Sequence, residues 1–240
     1  MFFGLFWGDW TILILIPGML FAFWAQARVK STFHRYSREA TRSGLSGAEA
    51  ARRLLDRHGL HHVRIERIAG ELTDHYDPRT EVLRLSAEVS DGRSTAAVGV
   101  ACHEAGHAIQ HAEKYLPLEA RMAIIPVCNF GSRLAMPLFL LGLILAGGAN
   151  VSGRVGDVFM LAGILCFSLS ALFQLITLPV EFDASRRAMA GLEESGMLAK
   201  SELGGAKKVL GAAAMTYVAA LATSLLSLLR LILIANNRRR

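Results

Sequence analysis

Charge is scarce in this chain: Asp, Glu, Lys and Arg make up 19% of its 240 residues, where a soluble domain carries about a quarter. With 52% hydrophobic residues and a mean hydropathy of +0.37, that shortage excludes an ordinary water-soluble fold and fits a membrane protein with a modest polar portion. Cysteine is scarcer still. Cys102, Cys128 and Cys166 form an odd, scattered set without a C-x-x-C pair, which argues against a disulfide framework. Cys102 points about 100° away from its neighbour His103 on a helix and reads as small packing, not as a ligand. The net charge of +6 comes without a basic stripe. Lys and Arg instead flank apolar runs, which sets membrane topology and gives no reason to expect nucleic acid. No basic residue precedes the first apolar run and no small-residue cleavage pattern closes it, so it reads as a retained anchor. Internal repeats and low-complexity tracts are also missing.

What is there begins with four apolar runs. The first has a dense core at residues 10–24; the others lie within 121–149, at 158–180 and at about 209–235. Arg28, Lys30, Arg35, Arg38 and Arg42 follow the first run and place that flank in the cytoplasm. Arg133 is read near an interface, because a lipid-facing Arg at mid-depth is costly. Four spans leave the basic tail Arg238 to Arg240 outside, against the rule, but most Lys and Arg fall in the first loop and in 186–208. The expected division is an anchor (1–26), a cytoplasmic α+β portion (27–121), two transmembrane helices (122–180), a cytoplasmic segment (181–208), and a last transmembrane helix with its basic tail (209–240). Asn150-Val151-Ser152 matches a glycosylation acceptor, and no function is attached to it.

In the polar portion, Ser46 suits an N-cap, Ala50, Leu54 and Leu55 an apolar stripe, and Gly59 a helix stop. Strands are expected at 63–68, 72–76 and 82–85, the last two joined by the turn Asp77-Pro78-Arg79-Thr80. An exposed strand edge can hold an extended peptide by main-chain hydrogen bonds, and residues 82–86 are the candidate for such an edge.

After Asp91-Gly92-Arg93-Ser94, a turn ending in an N-cap type, a helix is expected over 94–114. It carries His103-Glu104-Ala105-Gly106-His107, an H-E-x-x-H pattern. Helical spacing sets His103 and His107 on one face a turn apart, where two imidazoles can share a zinc ion. Glu104 beside them can take a proton from a water that the metal activates and pass it to a leaving amine. Two histidines leave such a zinc short of a third protein ligand. His111 is eight residues from His103, about 12 Å along the axis, too far to share one ion. Two spans separate the histidines from the segment opening at Glu181, and an even number of crossings returns the chain to the same face. Glu181 and Asp183 therefore both remain open.

These residues, with Leu72-Thr73-Asp74-His75-Tyr76-Asp77-Pro78, Val82-Leu83-Arg84-Leu85-Ser86 and Leu178-Pro179-Val180-Glu181-Phe182-Asp183-Ala184-Ser185, resemble the bacterial neutral zinc metallopeptidases of the YugP type. The last segment is also similar to the E-F-x-A-D segment of the HtpX-type membrane peptidases. That resemblance implies Glu181 as third zinc ligand, and Ser185 departs from it where an Asp would support a ligating His. Asp74, Asp77 or Asp183 are the candidates for that support, and His75, Tyr76 and Arg187 for stabilising an oxyanion. For Arg186 and Arg187 the competing reading is phospholipid headgroup contact.

The expectation is an α-helical integral membrane protein of about four spans with a small cytoplasmic α+β, zincin-like metallopeptidase portion. It would sit in the bacterial inner membrane and use one catalytic zinc on the cytoplasmic side, held by His103, His107 and Glu181, with Glu104 as general base. Its partners would be the lipid bilayer and protein or peptide substrates, membrane-associated ones above all. Rival readings are an intramembrane, site-2-type protease and a non-catalytic zinc-binding membrane scaffold.

Overall fold

A computed structural model describes residues 10–147 and 153–237. The Asn150-Val151-Ser152 match and the tail Arg238 to Arg240 lie outside them. A 3₁₀ turn, Trp10–Ile14, leads into α1 (Leu15–Ser37). There follow α2 (Gly47–Arg57), β1 (Arg64–Ile68), β2 (His75–Asp77), β3 (Val82–Ser86), α3 (Ala87–Asp91) and α4 (Thr95–Ala112). Three long helices complete the described chain: α5 (Leu116–Gly147), α6 (Gly153–Glu194) and α7 (Lys200–Asn237). Over the described residues the protein is thus mostly helical, with one small sheet.

Four helical stretches, Trp10–Ser37 and the three long helices, are long and apolar enough to cross a membrane. At 1.5 Å per residue the 42 residues of α6 reach about 63 Å, twice the hydrocarbon thickness of about 30 Å. The expected polar segment at 181–208 is therefore largely helix, the end of α6 and the start of α7.

The chain divides into two units. One holds residues 1–24, 120–177 and 217–240, and within it glycines let helices touch. A Cβ added at Gly142 would come 2.5 Å from Met160 N, and one at Gly163 2.7 Å from Ala135 O, so α5 and α6 meet backbone to backbone.

The other unit holds residues 25–119 and 178–216. Its core gathers Leu54 and Leu55 of α2, Leu83 and Leu85 of β3, Ile109 of α4 and Leu192 of α6, all fully buried. Ser46 caps α2 through a complete capping box: its hydroxyl accepts from Glu49 N–H, and the Glu49 carboxylate accepts from Ser46 N–H. Gly59 ends that stretch at φ +73°, as expected of a helix stop.

The sheet corrects two expectations. Its order is β1-β3-β2, with β3 parallel to β1 and antiparallel to β2. Residues 82–86 are therefore the central strand and offer no edge to a substrate. The physical reason is composition: Val82, Leu83 and Leu85 are all buried, which a strand achieves when paired on both sides. The second strand is also shorter than 72–76, because Leu72 takes a left-handed φ of +54° and pairing begins only at His75.

Candidate metal centre

The helix of the H-E-x-x-H pattern starts where its sequence says it should. Ser94 accepts a hydrogen bond from Ala97 N–H, and the preceding chain is tied down by Thr95 N–H donating to Glu39 O and Thr41 N–H donating to Arg93 O. Small side chains then decide how close α6 can come. A Cβ on Gly106 would lie 2.6 Å from Ala184 O, so only glycine admits the α6 backbone at that height. The close approach sets the acidic end of α6 against the two histidines one turn apart on α4.

Glu181 Oε2 lies 3.4 Å from His103 Nε2 and 3.5 Å from His107 Nε2. Bonds of about 2.0–2.1 Å in a tetrahedral array put neighbouring ligand atoms about 3.4 Å apart, so Glu181 Oε2 stands from each imidazole nitrogen at the separation one zinc ion would impose, and the three ligand atoms all lie within 4.8 Å of one another. The imidazole planes stand at 81° to each other, and the group is buried to partly buried. Two nitrogens and one carboxylate oxygen are a donor set that suits zinc. Among the described residues, no other group of three His, Cys, Asp or Glu side chains converges in this way.

Glu104 is buried next to this group. Burial pushes its carboxyl up to about 7; the charge of His103 works against the rise, and those of Glu181 and Asp74 add to it.

The other residues singled out in the sequence take distinct places. Asp183, two residues past Glu181, is turned to Arg186 and Arg187 and to the amide of Gln110. Arg187 also donates to Glu113 at 2.6 Å and lies over the Tyr115 ring. Both arginines thus have carboxylate partners. Tyr76 pairs its hydroxyl with His111 Nδ1 at 3.0 Å, which joins β2 to α4 and gives His111 a role apart from the metal group. His75 is exposed, its Nδ1 2.9 Å from Thr73 O, and its charge acts on Glu104. Asp74 accepts from Ser86 N–H at 2.7 Å and from the Ser86 hydroxyl; burial nonetheless raises its carboxyl above the ordinary range. Asp77 serves the β2–β3 turn. The Thr80 hydroxyl, Arg84 and Arg79 N–H hold its carboxyl down to about 2.

Two residues that meet the histidines were not anticipated. Ser185 Oγ is 3.1 Å from His103 Nδ1, and Gln110 Oε1 is 3.0 Å from His107 Nδ1. Neither Asp74 nor Asp77 is bonded to a histidine of the group, and Asp183 reaches His107 only by way of Gln110. The sequence held a faint signal: Ser185 is four residues from Glu181 and Gln110 three from His107, each on the same helical face.

Comparison with known proteins agrees with this arrangement. The family described as "Putative neutral zinc metallopeptidase" matches residues 11–236. A relative from Bacillus subtilis (strain 168), described as "Putative membrane protease YugP", is 49% identical over 228 residues, which cover 95% of this chain and 97% of the relative. No solved structure matches. Since the family match takes in every helix and strand around His103, His107 and Glu181, the chain belongs to this family of membrane neutral zinc metallopeptidases.

Proposed function

We propose that His103, His107 and Glu181 bind one catalytic zinc ion and that Glu104 is the proton carrier in hydrolysis of internal peptide bonds of membrane or membrane-proximal proteins. The observation that carries this reading is the equal approach of one Glu181 oxygen to both Nε2 atoms, beside a buried carboxyl. Zinc in such a site supplies Lewis acidity toward a carbonyl oxygen and toward water. Glu104 then takes a proton from the attacking water and delivers it to the leaving amine, a role that its buried place beside the metal group allows. A structural zinc site would have no use for such a group and would close its fourth position, so Glu104 weighs against a scaffold.

Residues 27–121 and 181–208 make up the catalytic, zincin-like portion on the cytoplasmic side of the inner membrane, with one span in 1–26, two in 122–180 and one, followed by the basic tail, in 209–240. The basic residues between Arg28 and Arg42 support that orientation. The length of α6, enough for a span of about 20 residues with as many left over, supports Glu181 emerging beyond the bilayer. Substrate backbone pairs with the open edge of β2, in place of the central β3, because Tyr76 joins β2 to the metal helix. His75, at the start of β2 and exposed, with its charge felt at Glu104, is the candidate for an oxyanion donor.

The test is Glu104→Gln, which deletes the proton carrier and no ligand. The purified variant is expected to fold, to hold zinc like the wild type, and to lose peptide hydrolysis; turnover comparable to the wild type would refute the mechanism.

A further inference from the structure

The metal group leaves one buried polar side chain without a function. Gln110 is fully buried in the middle of α4, where an amide is costly unless every hydrogen bond is made. All are made. Its Nε2 donates to Val180 O at 2.8 Å and to Asp183 Oδ2 at 2.9 Å, and its Oε1 is 3.0 Å from His107 Nδ1.

These partners settle the amide's orientation. Val180 O is a carbonyl and can only accept. Asp183 is turned to Arg186 and Arg187 and is an acceptor as well. A flipped amide would set Oε1 against both, two acceptor–acceptor contacts in a dry site. Both N–H groups of Gln110 are therefore committed to α6, and Oε1 must face His107. An amide oxygen cannot donate, so the proton between them belongs to His107 Nδ1. Nε2 is then the atom with the free lone pair, and it is the one that faces Glu181.

We infer that Gln110 is a positioning residue that selects the His107 tautomer able to bind zinc, with Asp183 holding the amide in the orientation that does so. Asp183 acts on the metal group at one remove, and the two arginines anchor Asp183. His103 is treated differently: its Nδ1 partner, the Ser185 hydroxyl, can donate or accept and so imposes no tautomer. The inference rests on His107 being a zinc ligand.

The experiment compares zinc affinity, by competition with a chelator, for the purified full-length wild type and Gln110→Leu. It is paired with ring-nitrogen NMR of labelled histidine in the zinc-free proteins, the His107 signal being assigned by its loss in His107→Ala. The wild type is expected to carry its proton on Nδ1. Gln110→Leu is expected to move that proton toward Nε2 and to weaken zinc binding by about 10- to 100-fold. A merely structural glutamine would lower the melting temperature and leave both readouts alone. The double variant Gln110→Glu with Asp183→Asn exchanges amide and carboxylate: it keeps an acceptor on Nδ1 and a donor between the two positions, but like Gln110→Leu it leaves Val180 O without its donor. It is expected to bind zinc more tightly than Gln110→Leu. Unchanged zinc affinity or tautomer in Gln110→Leu, or a double variant that binds zinc no better than Gln110→Leu, overturns the inference. Full zinc in His107→Ala would instead overturn the metal assignment on which it rests.

Discussion

The residue whose chemistry depends most on its surroundings is Glu104. An ordinary glutamic acid ionises near 4.5, and burial raises this one to about 7. The folded, metal-free protein thus keeps a proton that the unfolded chain releases between those values, and its stability falls as pH rises from 4.5 through 7. Glu104→Gln removes the titrating group and with it that slope. Melting curves of the zinc-free proteins should show the wild type losing ground to the variant between pH 5 and 8. Parallel curves would show that burial does not hold the carboxyl protonated. At this scale the pattern was legible in part: H-E-x-x-H names three residues by spacing alone. Gln110 was not legible, because the α6 atoms that fix its amide lie 70 and more residues away in sequence. Position 185 was marked by the resemblance as the place of a group behind a ligating histidine, though not as one where a serine would meet His103.

Among the elements, α4 and α6 matter most, and Gly106 sets their separation. Helix propensity alone would make Gly106→Ala favourable by about 0.5–1 kcal/mol. The Ala184 carbonyl 2.6 Å from the new Cβ opposes it, and forced overpacking typically costs about 1–3 kcal/mol. The close contact wins, so Gly106→Ala should melt earlier and bind zinc more weakly. Gly211→Ala is the control, since its Cβ meets nothing within 4 Å and only the propensity gain remains. Equal melting of the two variants would mean that the helix contact is looser than described. Helix starts were legible where capping is local, as at Ser46 and Ser94. The sheet order was not, because the parallel pairing of Arg64 with Val82 joins segments separated by a whole strand and turn, and period alone reads 82–86 equally well as edge or centre.

For the whole molecule, apolar run length sufficed to find four helices long and apolar enough to cross a membrane, and the proposed orientation rests on the basic residues after the first run. Single cysteines at Ser43 and Ser201, both exposed, test it in a variant lacking Cys102, Cys128 and Cys166. Ser46 would be a poor site, since it is the buried cap of α2. Both positions should resist a membrane-impermeant thiol reagent in intact cells and react after lysis. Labelling of one alone would separate the two halves of the metal group, while labelling of both would invert the orientation.

The central claim is that α6 brings Glu181, and not Asp183, to the two histidines. Zinc content of purified Glu181→Ala and Asp183→Ala, measured at saturating zinc beside the wild type, tests it most directly. Glu181→Ala should lose most of its metal, while Asp183→Ala, which releases Arg186, Arg187 and the amide behind His107 but removes no ligand, should keep it at saturating zinc. Full zinc in Glu181→Ala together with loss in Asp183→Ala would contradict the assignment.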